Sequence, residues 1–266
     1  MNLPRRFVIY LTILGSVFFI LGCRSASAAV EKDSFMNVYF NDPYADKRDT
    51  TLQQLIVDEI DAAAERVLVA TYNFTDRDVA EAMINAVDRG LEVRVVIHGE
   101  NADKATVRDM ADAGVEIYEA NGAGLMHSKF IVIDDDRSIS GSANMTPSSF
   151  FYDNNFMILI QSREANAIFA AEFDEMFFDN LLGANSPVSA APGIIELADG
   201  TKFLLRFAPE DEVSGGLLTA INGAKEKIRM LAYSFTEDNL GKALNQQFRN
   251  GVDVTVIFEA DKAYSD

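Results

Sequence analysis

His127 and Lys129 stand two residues apart, directly before the apolar run Phe130-Ile131-Val132-Ile133. In an extended strand, residues at that spacing face the same side, so an imidazole and an ammonium project together. A nucleophile or base beside a fixed positive charge suits phosphodiester chemistry. The ring attacks phosphorus, and the cation neutralises charge on the surrounding oxygens. Ser142 and Asn144 repeat the two-residue spacing and can offer a hydroxyl and an amide to the same phosphate from the neighbouring strand. Gly141 before them leaves room for backbone and ligand to approach closely. Asp134 lies an odd number of residues from both His127 and Lys129. In an unbulged strand it faces away, and it is expected to support the site or a contact between repeats without touching phosphorus.

The rest of the composition narrows the chemistry. The chain has one cysteine, Cys23, and two histidines, His98 and His127. That inventory excludes an internal disulfide and a Cys-rich zinc site and supplies a His-based metal site poorly, so neither metal nor cofactor is expected. With 41 acidic against 23 basic residues, the formal charge of −18 repels polyanions over long range and makes nucleic acid the less favoured partner. No complete dinucleotide fingerprint or P-loop occurs; Gly122 and Gly124 read as a turn ahead of His127. His98 ends a strand and reads as a surface or supporting residue.

The elements that must hold these groups alternate between strand and helix. Strands are expected at 66–72, 91–97, 115–118, 130–134, 138–140 and 156–160, with helices at 76–89, 102–113 and 164–178. Such alternation implies an α/β layered sheet. Residues 70–97 recur as residues 231–258 at a constant offset of 161. Tyr72, Phe74, Thr75, Ala82, Gly90, Val93 and Val95 recur as Tyr233, Phe235, Thr236, Ala243, Gly251, Val254 and Val256. A duplicated strand–helix–strand unit produces that pattern. His98 falls opposite Glu259, which argues against a chemical role shared by both copies. Residues 182–198, with Pro187 and Pro192, read as a linker between a first domain at 35–181 and a second repeat at 199–266.

His127, Lys129, Asp134, Gly141, Ser142 and Asn144 together resemble the H-x-K-x4-D motif and trailing G-S-x-N of the phospholipase D superfamily. The resemblance implies a mixed sheet flanked by helices, in tandem halves of which the second is incomplete. It implies catalytic roles for His127, Lys129 and Asp134, phosphate binding by Ser142 and Asn144, and a metal-free reaction through a phosphohistidine. A second histidine then protonates the leaving group. On the repeat offset, the partner of His127 would stand at position 288, past Asp266, so a second motif is expected from a missing C-terminal part of a longer protein. The sequence as given is expected to hold half of an active site. In place of an acidic residue that many relatives carry near there, this chain has Asn154-Asn155, with Asp153 close by.

Residues 1–22 have the layout of an export signal, with Arg5 and Arg6 ahead of the apolar run 7–21. Leu21-Gly22-Cys23 resembles a lipobox, which makes Cys23 the expected acylation site; Ala26-Ser27-Ala28 is the competing cleavage pattern. The expectation is a periplasmic, membrane-anchored lipoprotein acting on phospholipid headgroups. The alternatives are a nuclease of the superfamily, a phosphatidyltransferase similar to cardiolipin synthase, and a non-catalytic phosphate-binding lipoprotein.

Overall fold

The computed structural model describes residues 33–122, 124–187 and 194–259. The expected export segment, residues 1–22, and Cys23 lie outside them. The described chain divides into two compact units with the break after Lys202.

The first unit is built on a seven-stranded mixed sheet of β1 (Phe35–Phe40), β2 (Arg66–Thr71), β3 (Glu92–His98), β4 (Glu116–Ala120), β5 (Phe130–Ile133), β6 (Arg137–Gly141) and β7 (Phe156–Gln161). Their order across the sheet is β1-β7-β6-β5-β2-β3-β4. β2, β3 and β4 are parallel, and β5 joins β2 antiparallel. The central strands read as unbroken apolar runs because both faces are covered. On one face Val67, Val69, Ile131 and Ile133 pack with Leu52, Ile56, Val79 and Met83 from α1 (Thr51–Asp61) and α2 (Arg77–Asp88). α3 (Ala105–Asp112) adds Val107 and Met110. Opposite, Leu68, Phe130 and Val132 are buried, and the Phe130 ring lies 5.2 Å from Phe169 of α5 (Arg163–Phe177). A short helix, α4 (Pro147–Phe151), links β6 to β7.

Local chemistry fixes the boundaries. The Asp76 carboxylate accepts the Val79 amide at 3.1 Å and starts α2, while Gly90 at φ 87° ends it in a conformation costly for other residues. At the break between units, β8 (Ile195–Glu196) and β9 (Lys202–Phe203) form a small hairpin inside and just past the expected linker.

The second unit holds α6 (Val213–Gly223), β10 (Lys227–Ala232), α7 (Asp238–Arg249) and β11 (Asp253–Phe258). Its ladder sets Lys227 opposite Asp253, as β2 and β3 set Arg66 opposite Glu92, 161 residues earlier in each case. Gly251 ends α7 at φ 90°, the counterpart of Gly90. The sequence repeat is therefore also a repeat of ladder register.

Candidate active site

Parallel strands β2 and β3 end where antiparallel β5 begins, so Tyr72, His98 and His127-Ser128-Lys129 meet at one end of the sheet. His127 and Lys129 lie in the extended lead-in to β5 and not within it. The strand pattern nevertheless persists, because the Lys129 carbonyl accepts the Gly141 amide at 3.4 Å and the Ser140 hydroxyl at 3.2 Å. The imidazole of His127 is exposed, whereas Lys129 is only 9% exposed. The Lys129 ammonium donates to the His127 carbonyl at 2.8 Å and lies 5.9 Å from the centre of the Tyr72 ring. That ring also meets the His127 imidazole edge-on, at 5.3 Å and 64°. Both groups of the motif thus face the same aromatic side chain.

Burial drives the Lys129 ammonium from 10.5 down to about 8. His127 is held below its usual 6.5 by partial burial, then by repulsion from Lys129 and His98. The neutral, nucleophilic form of the ring is favoured beside a cation that is still charged near neutrality. That combination permits attack on a phosphodiester with a compensating positive charge in place.

The other sequence candidates are distributed unevenly. Ser142 is exposed at the same sheet end; its hydroxyl donates to the Asn155 carboxamide oxygen at 2.7 Å and accepts the Phe156 amide at 3.1 Å. Asn155, and not Asp153, occupies the position beside Ser142, since Asp153 accepts the Ser148 hydroxyl at 3.0 Å instead. Asn144 follows β6, and its carboxamide oxygen is buried without a protein donor, as is that of Asn73 beside Tyr72. Gly141 serves the fold more than a ligand. A Cβ there would strike the Phe156 carbonyl of β7, so the tight strand approach demands glycine.

Asp134 is not brought into this cluster. It sits at the far end of β5 at φ 49°, where its carboxylate accepts the Glu65 amide at 2.7 Å, the Ala64 amide at 3.1 Å and the Arg66 amide at 3.2 Å. Arg137 donates to it at 3.0 Å. Burial alone would raise its pKa, but these donors outweigh burial and hold it below 3.8. Asp134 thus lies apart from His127 and Lys129, on the side its odd spacing implied, and braces the β5–β6 turn against the start of β2. Asp134→Ala should cost about 3 kcal/mol, from lost charge-assisted hydrogen bonds and left-handed backbone strain. The carboxylate's contribution is present above its unfolded value and fades as pH falls through its folded one. Urea midpoints at about pH 7 and about pH 3 check both points.

Tyr72 was not anticipated as a site residue, although its recurrence as Tyr233 was a signal for it. His98, expected at the surface or in support, proves buried, with its ring stacked on Tyr72 at 5.1 Å and 22°. Next to it lies an open depression of about 450 Å³ lined by His98, Glu100, Asn121, Gly122, Gly124 and Leu125. Among the described residues, no group of three His, Cys, Asp or Glu side chains is placed to hold a metal ion.

A sheet end that presents an exposed imidazole over a buried ammonium suits a phosphate group, and known proteins carry similar domains. The family model described as "Cardiolipin synthase, PLD-like domain" matches residues 56–177. Phospholipase D of Rickettsia felis is 28% identical over 113 residues, covering 42% of this chain and 56% of that protein. Cardiolipin synthase A of Yersinia pseudotuberculosis is 28% identical over 117 residues, covering 41% of this chain and 24% of its own length. The chain thus spans about half the length of the phospholipase D relatives (56% for the Rickettsia felis protein). The solved phosphatidylserine synthase of Haemophilus influenzae shares the fold, with a TM-score of 0.58 at 14% identity over 83% of this chain and 61% of that one. Residues 56–177, the segment that carries His127 and Lys129, are thus similar to the PLD-like domain of the phospholipase D superfamily.

Proposed function

We propose that this protein cleaves phospholipid headgroup esters, with His127 as the nucleophile. The observation that carries the reading is the exposed, largely neutral imidazole beside the buried ammonium of Lys129. A ring nitrogen forms a bond to phosphorus as the bond to the headgroup oxygen breaks and the headgroup departs with the electron pair. Water then releases the phosphohistidine. The proton needed by an alkoxide leaving group is assigned to a second motif, since His98 is buried and no third histidine exists in the sequence.

Three features support a lipid substrate. The relatives are named phospholipase D and cardiolipin synthase A. The charge of −18 disfavours nucleic acid. Phe40 at the end of β1, Leu125 two residues before His127 and Tyr152 after α4 are exposed at the end of the sheet that carries the imidazole. Exposed aromatic and aliphatic groups around a reactive mouth suit a bilayer surface. Anchoring through an acylated Cys23, with residence in the periplasm, completes the proposal. Palmitate labelling that is lost in Cys23→Ser would bear it out, and labelling unaffected by that change would refute it.

Headgroup release from phosphatidylcholine vesicles, measured against nucleotide release from single-stranded DNA, tests the substrate. Free headgroup with intact DNA is expected. Nucleotide release alone would favour the nuclease alternative, phosphatidyl transfer to added glycerol would favour the transferase, and no release or transfer above that of His127→Ala would leave only a phosphate-binding role.

A further inference from the structure

The exit of β3 carries two buried polar side chains that the proposed reaction leaves unused. His98, 7% exposed, accepts the backbone amide of Met126 through Nδ1 at 3.4 Å, immediately before His127. The same ring stacks on Tyr72, which also meets the imidazole of His127. Three residues on, the Asn101 carboxamide donates to the Tyr72 carbonyl at 2.8 Å. The other nitrogen of His98, Nε2, points toward Glu100 at 4.0 Å. One short stretch of chain therefore grips both segments that define where the nucleophile sits: the peptide that leads into it and the ring that it leans on.

We infer that His98 is a positioning residue for His127, acting by holding the Met126–His127 peptide through Nδ1 and the Tyr72 ring through its own. The need for such a clamp follows from the local backbone. Residues 125–129 precede β5 without ladder pairing until Lys129, and Gly122 and Gly124 stand just ahead of them. A nucleophile on an unpaired segment behind two glycines samples many directions unless something fixes it, and misplacement by about 1 Å costs attack geometry heavily. Because Nδ1 accepts a hydrogen bond from the Met126 amide, His98 is held in the tautomer with its proton on Nε2, toward Glu100.

The inference rests on His127 being the nucleophile, and the experiment separates the two ideas. The full chain is mixed with bis(p-nitrophenyl) phosphate, whose weakly basic leaving group departs without an acid. The burst of nitrophenolate from the first turnover then reports attack by His127 alone. His98→Asn keeps an acceptor near the Nδ1 position but loses the ring, whereas His98→Phe keeps the stacked ring but loses the acceptor. If the amide grip dominates, His98→Asn stays within about 3-fold of wild type and His98→Phe falls about 10-fold, the worth of one hydrogen bond. Melting temperatures should stay within about 4 °C of wild type in both. Equal bursts in all three proteins, or bursts that fall only in proportion to melting temperature, would overturn the positioning role. The imidazole ¹H–¹⁵N signals give a second readout, because either variant leaves a single histidine. The His127 pattern should match wild type in His98→Asn and be displaced or broadened in His98→Phe. If wild type shows no burst, the nucleophile assignment fails, and these signals alone decide whether His98 orders His127.

Discussion

His127→Ala should abolish the nitrophenolate burst outright while leaving the protein as stable as wild type. The imidazole is exposed and leans on the edge of the Tyr72 ring, so removing it opens no buried cavity. Its effect on stability should stay within about 0.5 kcal/mol, as for surface positions generally. The chemical loss is total because no other imidazole can substitute. His98 is buried under Tyr72 with Nδ1 committed to Met126. Without the nitrogen no bond to phosphorus forms, and the remaining cation can only bind. Lys129 stays in place in this variant, so affinity for inorganic phosphate should fall little. Burst amplitude by stopped-flow absorbance and phosphate affinity by calorimetry measure the two effects. A residual burst of wild-type amplitude in His127→Ala would sink the assignment; loss of phosphate binding together with the burst would move His127 from attack to binding.

Much of this arrangement was legible in the sequence because its signals are local. The helix expected at 76–89 forms at Arg77–Asp88, since Asp76 and Gly90 state both of its ends. The strand expected at 91–97 forms at Glu92–His98, and its copy appears at Asp253–Phe258. What escaped was set by distance along the chain. β1 shows no clean alternation, because it is an edge strand whose register comes from β7, more than a hundred residues away. α1 was passed over, though its Leu52, Ile56 and Ile60 are among the most buried side chains of the core. At the site, the pairing of His127 with Lys129 followed from spacing. The role of Asp134 in bracing the start of β2 required knowing that residues 64–66 lie beside it. Likewise Tyr72 and His98 converge on His127 only because β2 and β3 are neighbours ending at the same level as the start of β5. Sequence spacing reports faces within one element, and contacts between elements emerge only from topology.

Lys129→Met should slow phosphoryl transfer by about 100- to 1000-fold, the usual loss on removing one preorganised stabilising group, and should also remove a limb from the pH profile. Lys129 must be charged to act, and burial lowers its ammonium to about 8. His127 must be neutral, and it is held below 6.5. The wild-type burst rate should therefore rise with pH through a midpoint below 6.5, then decline through about 8 as the ammonium is lost. In Lys129→Met the acid limb should remain and the decline near 8 should vanish. Stability should change in the opposite direction to activity. Below about 8 both folded and unfolded chains hold the proton, so the full cost of burying the ammonium is present. Between about 8 and 10.5 the folded protein has released it while the unfolded chain has not, so wild type gains stability as pH rises across that window. Lys129→Met escapes the cost and should be the more stable protein at about pH 7, with the advantage shrinking toward 10.5. Urea midpoints of both proteins across this range, beside the burst rates, separate a cation kept for chemistry from one kept for the fold. A methionine variant that is both slower and less stable at about pH 7 would assign Lys129 to structure, because a buried charge retained against its own desolvation must be compensated by what it does to phosphorus.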